Sequence, residues 1–296
     1  MSTRHRSLLA EGNGTRAARN RGSIAHTRAL LLCLGVLACT LSSIAAGCAP
    51  SGGQGGASIT LAGSTSVQPF AEMLAEEYAR VYPDRPAVNV QGGGSSAGAR
   101  AALTGAAEIG MMSRGLAESE NELTPVVMAK DAIVLVIHPS NPVCGLSREQ
   151  VRDIFSGKIT SWDQVGGPFW QIHVVSREEG SGTRGAFDEL VMDGEGVLPR
   201  AVVQDSNGAV RETVAGDKAA IGYVSLGLVD QSVKGLSIDG VAPTFENAQE
   251  GKYTLVRPFL LVYRGTLAPV AQHFVDYVTG AEGQSILAGE GLVTSK

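Results

Sequence analysis

The sequence predicts an α/β protein with two lobes, each built on a mostly parallel sheet flanked by helices. Apolar runs of strand length alternate with segments whose apolar residues recur every three or four positions, as in amphipathic helices. The run at residues 131–138 is apolar almost throughout, which is typical of a strand buried on both faces. The alternation starts again after Pro139 and Pro142. The chain is therefore expected to form a second lobe and then return to the first.

The first 47 residues are predicted to be a secretory signal outside the folded domain. Six arginines precede an apolar run at residues 29–41, which is short for a membrane span, and small residues follow it. Residues 45–48 (Ala-Ala-Gly-Cys) resemble a bacterial lipobox with Cys48 as the lipidated residue, although Ala45 stands where leucine is commoner. The Gly/Ser-rich residues 48–57 suit a flexible tether. An uncleaved anchor, or a plain signal with an incidental cysteine, is the alternative.

Lobe I is predicted over residues 58–138 and 244–296. Strands are expected at residues 58–62, 87–91, 108–112 and 131–138. After Gly63, apolar residues at positions 67, 70, 74, 78 and 81 fall on one face of a helix. A shorter helix follows the loop at residues 92–96. The last part of the chain returns to this lobe as a long strand at 253–263, followed by helices near 272–278 and 282–287.

Lobe II is predicted over residues 139–243. Ser147 and Gln150 form the pattern of a capping box that opens a helix at residues 151–155. Strands at 172–176, 201–204 and 221–224 alternate with helices after the loop at 180–183 and after Asn207-Gly208. Ligands in open α/β sheets bind beyond the carboxyl ends of strands, so loops of both lobes are expected to face one cleft.

Charge and cysteine content exclude several classes of function. The first 47 residues hold six of the 24 basic residues and one of the 29 acidic residues, which leaves 18 basic against 28 acidic and a net charge of −10. A domain with this negative net charge is no candidate for binding nucleic acid or an anionic membrane surface. Outside the signal and Cys48, Cys144 is the one cysteine, so no intramolecular disulfide is expected and Cys144 is predicted to be a buried thiol. No Cys/His cluster calls for a metal, and no cofactor is expected.

Four clusters of Ser or Thr beside Gly or Arg lie where strands are predicted to end, at residues 63–66, 92–96, 112–114 and 177–184. Glycine lets a backbone approach a ligand closely, short hydroxyls donate hydrogen bonds, and helix N-termini present free N–H groups. These are the components of a site for a small tetrahedral oxyanion. For any single cluster, helix capping and turns are the favoured explanation. Four clusters, two of them with arginine, favour the anion site.

Two of these loops also match enzyme motifs. Residues 180–185 fit GxGxxG, and Asp205 follows at the distance of a ribose-binding acid. The hydroxyls and flanking arginines of this loop argue against a dinucleotide. Residues 94–98 fit GxSxG, with Ser96 as the nucleophile of a serine hydrolase. That chemistry needs a histidine, and none of the three histidines after residue 47 lies in a context that suggests catalysis.

Taken together, the segments resemble the phosphate-binding protein of the phosphate-specific ABC importer. The resemblance rests on residues 63–69 (GSTSVQP), 94–98 (GSSAG), 109–114 (IGMMSR), 138–142 (HPSNP), 154–162 (IFSGKITSW) and 177–184 (REEGSGTR). It runs from about residue 59 to the C-terminus. It implies a two-lobed type II periplasmic-binding-protein fold and an extracytoplasmic, lipid-anchored protein that is not an enzyme and delivers phosphate to a membrane permease. No oligomerisation signal is evident, so a monomer is the default expectation.

The resemblance also implies a set of phosphate-binding residues. By match to the family motifs, the ligands are Thr65, the Ser66 N–H, Ser95, Arg177, Ser181, the Gly182 N–H and Thr183. Ser64, Ser113 and Arg114 are expected to complete one wall of the cleft.

One position departs from the family pattern. Arg114 stands where well-known members carry an aspartate that accepts the proton of phosphate and thereby rejects sulfate. Such an acceptor discriminates because sulfate would leave it facing bare oxygens. Glu179 is the candidate replacement, unless it orients Arg177 instead, and Arg114 is expected to act as a second positive clamp. Another tetrahedral oxyanion such as sulfate therefore stays an alternative, as does, less favoured, an exported phosphate-ester hydrolase.

Overall fold

The structure, a computed structural model, describes residues 58–294. Its main sheet contains two sets of three parallel strands: β1 (Ile59–Gly63), β2 (Val88–Gly92) and β3 (Ile109–Met112), then β6 (His173–Arg177), β7 (Val202–Gln204) and β8 (Ala220–Ser225). Between the sets lie β4 (Leu123–Ile137) and β11 (Val256–Arg264), both antiparallel to their neighbours. The order is β2-β1-β3-β11-β4-β8-β6-β7. The predicted α/β class is confirmed, with a mixed sheet in which each half keeps a parallel set.

Four more strands, each of two residues, lie within the described residues. Two of them pair with β4, namely β9 (Lys234–Gly235) and β12 (Val293–Thr294), and two form a separate ladder, namely β5 (Gly145–Leu146) and β10 (Ser237–Ile238).

Strand β4 runs through both halves of the sheet. Its residues from Leu123 to Ala132 pair with β11, and those from Ile133 to Ile137 pair with β8. The sequence predicted this strand only from residue 131. The part before residue 131 mixes exposed and buried positions, whereas the end of the strand is buried on both faces, and only the buried part gives a continuous apolar run.

Eight α-helices lie between the strands within residues 58–294. They are α1 (Gln68–Val81), α2 (Ser95–Thr104), α3 (Arg148–Ser156), α4 (Gly182–Phe187), α5 (Asn207–Ala215), α6 (Phe245–Gln249), α7 (Pro269–Thr279) and α8 (Ala281–Gly289). The capping box predicted for α3 is confirmed, because Ser147 Oγ accepts from the Gln150 N–H at 3.1 Å and Gln150 Oε1 accepts from the Ser147 N–H at 2.9 Å. Within residues 58–294, no helix combines the length and apolar character needed to cross a bilayer.

The apolar core forms separate clusters on the two sides of the central strands. One cluster joins β1, β3, α1 and α7 and includes Leu61, Leu74 and Phe274. The largest cluster joins the end of β4 to α3, α4 and β8, where the rings of Phe187 and Tyr223 stack 4.2 Å apart. Each half therefore buries its own apolar surface, which leaves the loops between the halves free for polar residues.

Cys144 corrects one prediction. Its side chain is exposed and makes no disulfide, so the expectation of a buried thiol was wrong. The neighbouring Val143 is buried in the largest core cluster. Adjacent side chains in extended chain point to opposite sides, so burial of Val143 turns Cys144 outward.

Candidate functional site

The strands β1, β2, β3 and β6 end on the predicted polar loops. Residues 64–66 follow β1, Ser95 opens the helix after β2, Ser113 follows β3, and Arg177 is the last residue of β6. Within each parallel set the carboxyl ends of strands meet at one edge. The sheet thus assembles residues that are more than a hundred positions apart in the chain.

Three serines form one wall of the site. Ser64 Oγ donates to Ser113 Oγ at 2.8 Å, and the Ser113 N–H donates to Ser95 Oγ at 3.0 Å. All three side chains are buried. The oxygen atoms of Ser95 and Ser113 are also 3.4 Å apart, and either can be the donor. Short hydroxyls held this way can turn a hydrogen or a lone pair towards a small ligand.

Arg177 is the most deeply buried charge on the opposite wall, with a side chain only 1% exposed. Its Nε and Nη2 donate to the two carboxylate oxygens of Glu178, each at 2.9 Å. They also donate to the carbonyls of Gln204 and Asp205, and Nη2 lies 3.3 Å from Thr65 Oγ1. Nη1 is buried and has no hydrogen-bond partner. A buried guanidinium donor without a partner costs free energy unless a ligand satisfies it.

The loop before α4 completes the second wall. Ser181 caps the helix by accepting from the Arg184 N–H at 3.2 Å. Gly182 lies so close to the serine wall that an added Cβ would collide with Ser95 Oγ and come within 2.5 Å of Ser113 Oγ. Only glycine allows this approach.

Direct contacts join the two walls. Ser66 Oγ and Thr183 Oγ1 are 2.8 Å apart, and the Ser96 N–H donates to the Gly180 carbonyl at 3.1 Å. The structure therefore brings together most of the predicted set: Ser64, Thr65, Ser66, Ser95, Ser113, Arg177, Gly182 and Thr183.

Arg114 and Glu179 are placed differently. The Arg114 guanidinium forms a two-point ion pair with Glu120, at 2.7 and 2.8 Å, and lies 3.3 Å from Ser96 Oγ. This hydrogen-bonded pairing lowers the pKa of the Glu120 carboxyl. Glu179 is exposed, and it is the preceding residue, Glu178, that orients Arg177. The structure thus commits the Arg114 charge to a local carboxylate and does not bring Glu179 into the cluster of hydroxyls.

Three polar residues next to the site were not predicted from the sequence. Asn207, at the start of α5, donates to Ser66 Oγ at 2.8 Å. Arg257, on β11, donates to Ser66 Oγ at 3.1 Å and pairs with Asp131 of β4 at 2.9 Å. A signal existed, because Asp131 and Arg257 lie next to the apolar runs at residues 132–137 and 259–262, and buried charges are rare unless they are paired.

Burial opposes both charges of this ion pair. It raises the pKa of the Asp131 carboxyl and lowers the pKa of the Arg257 guanidinium, and the charge of each partner offsets the effect on the other. The side chains are 0% and 1% exposed. A buried pair of this kind is retained only with good geometry and further hydrogen bonds, which Ser66 and Ser225 supply.

The contacts of Ser96 and of the histidines bear on the hydrolase alternative. Ser96 is half-buried; its hydroxyl accepts from Arg114 at 3.3 Å, and its N–H donates to the Gly180 carbonyl at 3.1 Å. Among the described residues, the histidines bond to Ser140, Asp217 and Tyr78. Gly98 of the GxSxG match has a packing role, because a Cβ there would lie 2.6 Å from the Ala62 carbonyl. The nucleophile–histidine pair of a serine hydrolase is not formed by these contacts.

Known proteins resemble this chain over most of its length. The chain matches the PBP superfamily domain over residues 49–282. Phosphate-binding protein PstS of Bacillus subtilis (strain 168) is 31% identical over 243 residues, 80% of each chain. The substrate-binding protein assigned to a phosphate ABC transporter of Clostridium perfringens, solved with bound phosphate, is 41% identical with a TM-score of 0.79, covering 81% of this chain and 100% of that one. An ABC-type phosphate transport receptor from Vibrio cholerae is 37% identical with a TM-score of 0.68, covering 80% and 99%.

Proposed function

Because this chain belongs to the PstS family of phosphate-binding proteins within the PBP superfamily, we propose that it captures inorganic phosphate outside the cytoplasm and delivers it to an ABC import permease. The names of the relatives and the bound phosphate of the Clostridium perfringens protein support this ligand and this transport context. The function is binding and delivery, without chemical turnover of the ligand.

The observation that carries the proposal is the unpartnered Nη1 of Arg177. Its other two nitrogens are fixed by Glu178 and by backbone carbonyls, so the free donor has a defined direction. The hydroxyls of Ser95 and Ser113 on one wall and of Thr183 on the other are also buried. A guanidinium that donates to a phosphate oxygen makes a charge-assisted hydrogen bond, and the hydroxyls replace the water that the anion loses.

Selectivity for phosphate over sulfate requires an acceptor for the proton of phosphate. The carboxylates that contact this region are paired: Glu178 with Arg177, Asp131 with Arg257, and Glu120 with Arg114. We propose that one hydroxyl of the pair Ser95 and Ser113 accepts a hydrogen bond from the phosphate O–H, because either of these hydroxyls can serve as donor or acceptor.

The sequence suggested Glu179 as the acceptor in place of the family aspartate. The variant Glu179→Gln decides between Glu179 and the serine pair. Unchanged discrimination against sulfate favours the serines, whereas lost discrimination assigns the role to Glu179. Because a hydroxyl accepts less strongly than a carboxylate, sulfate or another tetrahedral oxyanion stays the second candidate ligand.

Calorimetric titration with phosphate, repeated in excess sulfate, tests the function. We expect one-to-one binding of phosphate that sulfate weakens only slightly. Strong competition would indicate a general oxyanion site. Absence of binding to either anion would contradict the proposal, and turnover of a chromogenic phosphate ester that is lost in Ser96→Ala would establish the hydrolase alternative.

The two lobes are proposed to close on the anion by bending at β4 and β11. The separate core clusters support this motion, since each half keeps its own apolar contacts. The predicted division into residues 58–138 with 244–296 and residues 139–243 remains a proposal. The core contacts favour a return to the first lobe near residue 256, because Tyr253 and Leu255 pack in the cluster of the second half.

A lipid anchor is proposed at Cys48, which lies outside the described residues, as do the whole signal (1–47) and the tether (48–57). The lipobox-like residues 45–48 and the Gly/Ser-rich segment after them support it. Cys48→Ala should move the protein from the membrane fraction to the soluble extracytoplasmic fraction, and unchanged membrane association would contradict the anchor. The protein is proposed to act as a monomer, which sedimentation would test.

A further inference from the structure

The hydroxyl of Ser66 lies where elements of both halves of the sheet meet. It receives hydrogen bonds from Arg257 Nη2 at 3.1 Å and from Asn207 Nδ2 at 2.8 Å. It also lies 2.8 Å from Thr183 Oγ1. A serine hydroxyl has two acceptor lone pairs and one hydrogen to donate. Because the two N–H donors occupy both lone pairs, the hydrogen of Ser66 must point to Thr183 Oγ1.

The direction of that hydrogen bond determines the state of Thr183. Once Thr183 Oγ1 accepts from Ser66, its own hydrogen is free to be donated elsewhere. Thr183 is buried beside Gly182, which faces the hydroxyls of Ser95 and Ser113. The free hydrogen is therefore available to an anion bound between the two walls.

Arg257 is itself held in place by a closed ring of hydrogen bonds. Asp131 accepts from its Nε at 3.1 Å and its Nη2 at 2.9 Å, and Asp131 Oδ1 accepts from Ser225 Oγ at 2.8 Å. The Ser225 N–H donates to Asn207 Oδ1 at 3.3 Å, and Asn207 donates to Ser66. All five members of this ring are buried, so each is confined to one orientation.

We propose that Arg257 and Asp131 form a positioning pair that fixes the direction of the Ser66–Thr183 relay, so that Thr183 always donates to the bound anion. This inference rests on the proposed function and assigns a role to residues outside the family motifs. Asp131 neutralises the guanidinium, so the pair sets the direction of a hydrogen bond without adding a second net positive charge to the site. The Thr183 hydroxyl therefore binds an unprotonated oxygen of the anion.

A double-mutant cycle on phosphate affinity tests the relay in the full-length protein. The pair is removed as a unit in Arg257→Met/Asp131→Leu, because apolar replacement of both partners leaves no uncompensated buried charge. In the wild-type background, Thr183→Val should weaken phosphate binding about tenfold, the value of one hydrogen bond to an anion. In the double variant, Ser66 has a lone pair to spare and Thr183 can donate to it instead. The loss on Thr183→Val should then fall to about twofold, since the anion no longer depends on this hydroxyl.

A matched control uses the exposed ion pair between Arg264 and Glu122, at the end of β11 and just before β4, with 57% and 60% exposed side chains. In Arg264→Met/Glu122→Leu, Thr183→Val should keep its full effect. Equal losses in every background overturn the relay but leave phosphate binding intact, whereas a wild-type protein that binds no phosphate overturns the proposed function itself.

If circular dichroism shows that Arg257→Met/Asp131→Leu does not fold, Asn207→Leu replaces it in the cycle, because it frees the other lone pair of Ser66. Additivity in that cycle also overturns the relay.

Discussion

Removal of the Arg177 guanidinium tests the site most directly. Arg177→Met keeps most of the apolar stem of the side chain and removes the charge, the ion pair with Glu178 and the free Nη1 donor. Arg177→Lys keeps the charge, but a single ammonium cannot reach Glu178, two carbonyls and the anion at once as the planar fork does. Affinity for phosphate should therefore decrease in the order wild type, Lys variant, Met variant.

The magnitude follows from what the structure leaves unsatisfied. A hydrogen bond to a charged group contributes about 1.5–3 kcal/mol, so loss of Nη1 should weaken phosphate binding roughly 10- to 150-fold. The carbonyls of Gln204 and Asp205 also lose a donor. The free energy of unfolding should therefore fall by about 1–3 kcal/mol, the cost of unsatisfied buried polar groups.

Calorimetric titration gives the affinity and urea denaturation gives the stability. Arg148→Met is the matched control, since Arg148 is exposed and donates to Thr254 away from the site, and it should change neither quantity. Phosphate affinity of Arg177→Met within about twofold of wild type, where a lost charged hydrogen bond predicts at least tenfold, would refute the assignment of Arg177 as a ligand.

Three further predictions concern Gly182, Arg114 and Tyr223. Gly182→Ala should abolish phosphate binding in titrations and leave the thermal transition nearly unchanged, because the new Cβ collides with Ser95 Oγ only when the two walls meet. Retained affinity would show that the two walls need not approach so closely. Arg114→Ala should reduce the free energy of unfolding by about 1 kcal/mol and weaken binding less than Arg177→Met. Arg114 lowers the pKa of Glu120 below its ordinary value of 4.5. The difference in unfolding free energy between wild type and Arg114→Ala, measured by urea denaturation, should therefore disappear as the pH falls below 4.5 and Glu120 becomes protonated in the folded protein. An affinity loss equal to that of Arg177→Met would place Arg114 at the anion. Burial raises the pKa of Tyr223 from 10.0 to about 12, so the protein should lose stability as the pH rises through this interval; urea denaturation of Tyr223→Phe should show a smaller loss, and an equal loss would assign it to other groups.

The α/β class and the positions of the polar loops could be predicted from the sequence because both depend on local patterns. Buried strands require apolar runs, and amphipathic helices require their period. Four clusters of Ser or Thr beside Gly or Arg at strand ends, two of them with Arg, favour one shared anion site over four unrelated turns. The positions of Ser95, Ser113 and Arg177 at the ends of β2, β3 and β6 could therefore be predicted without coordinates.

Which guanidinium donors lack a partner could be read only from the fold. Arg114 and Arg177 look alike in the sequence, since each follows or precedes a serine-containing loop. The fold pairs Arg114 with Glu120 and Arg177 with Glu178, but it leaves one nitrogen of Arg177 buried without a partner. It also brings Asp131 and Arg257 together across 126 positions of the chain. Whether a buried polar atom has a partner depends on distances of a few ångströms between segments, some of them remote in the chain, and no local pattern contains those distances.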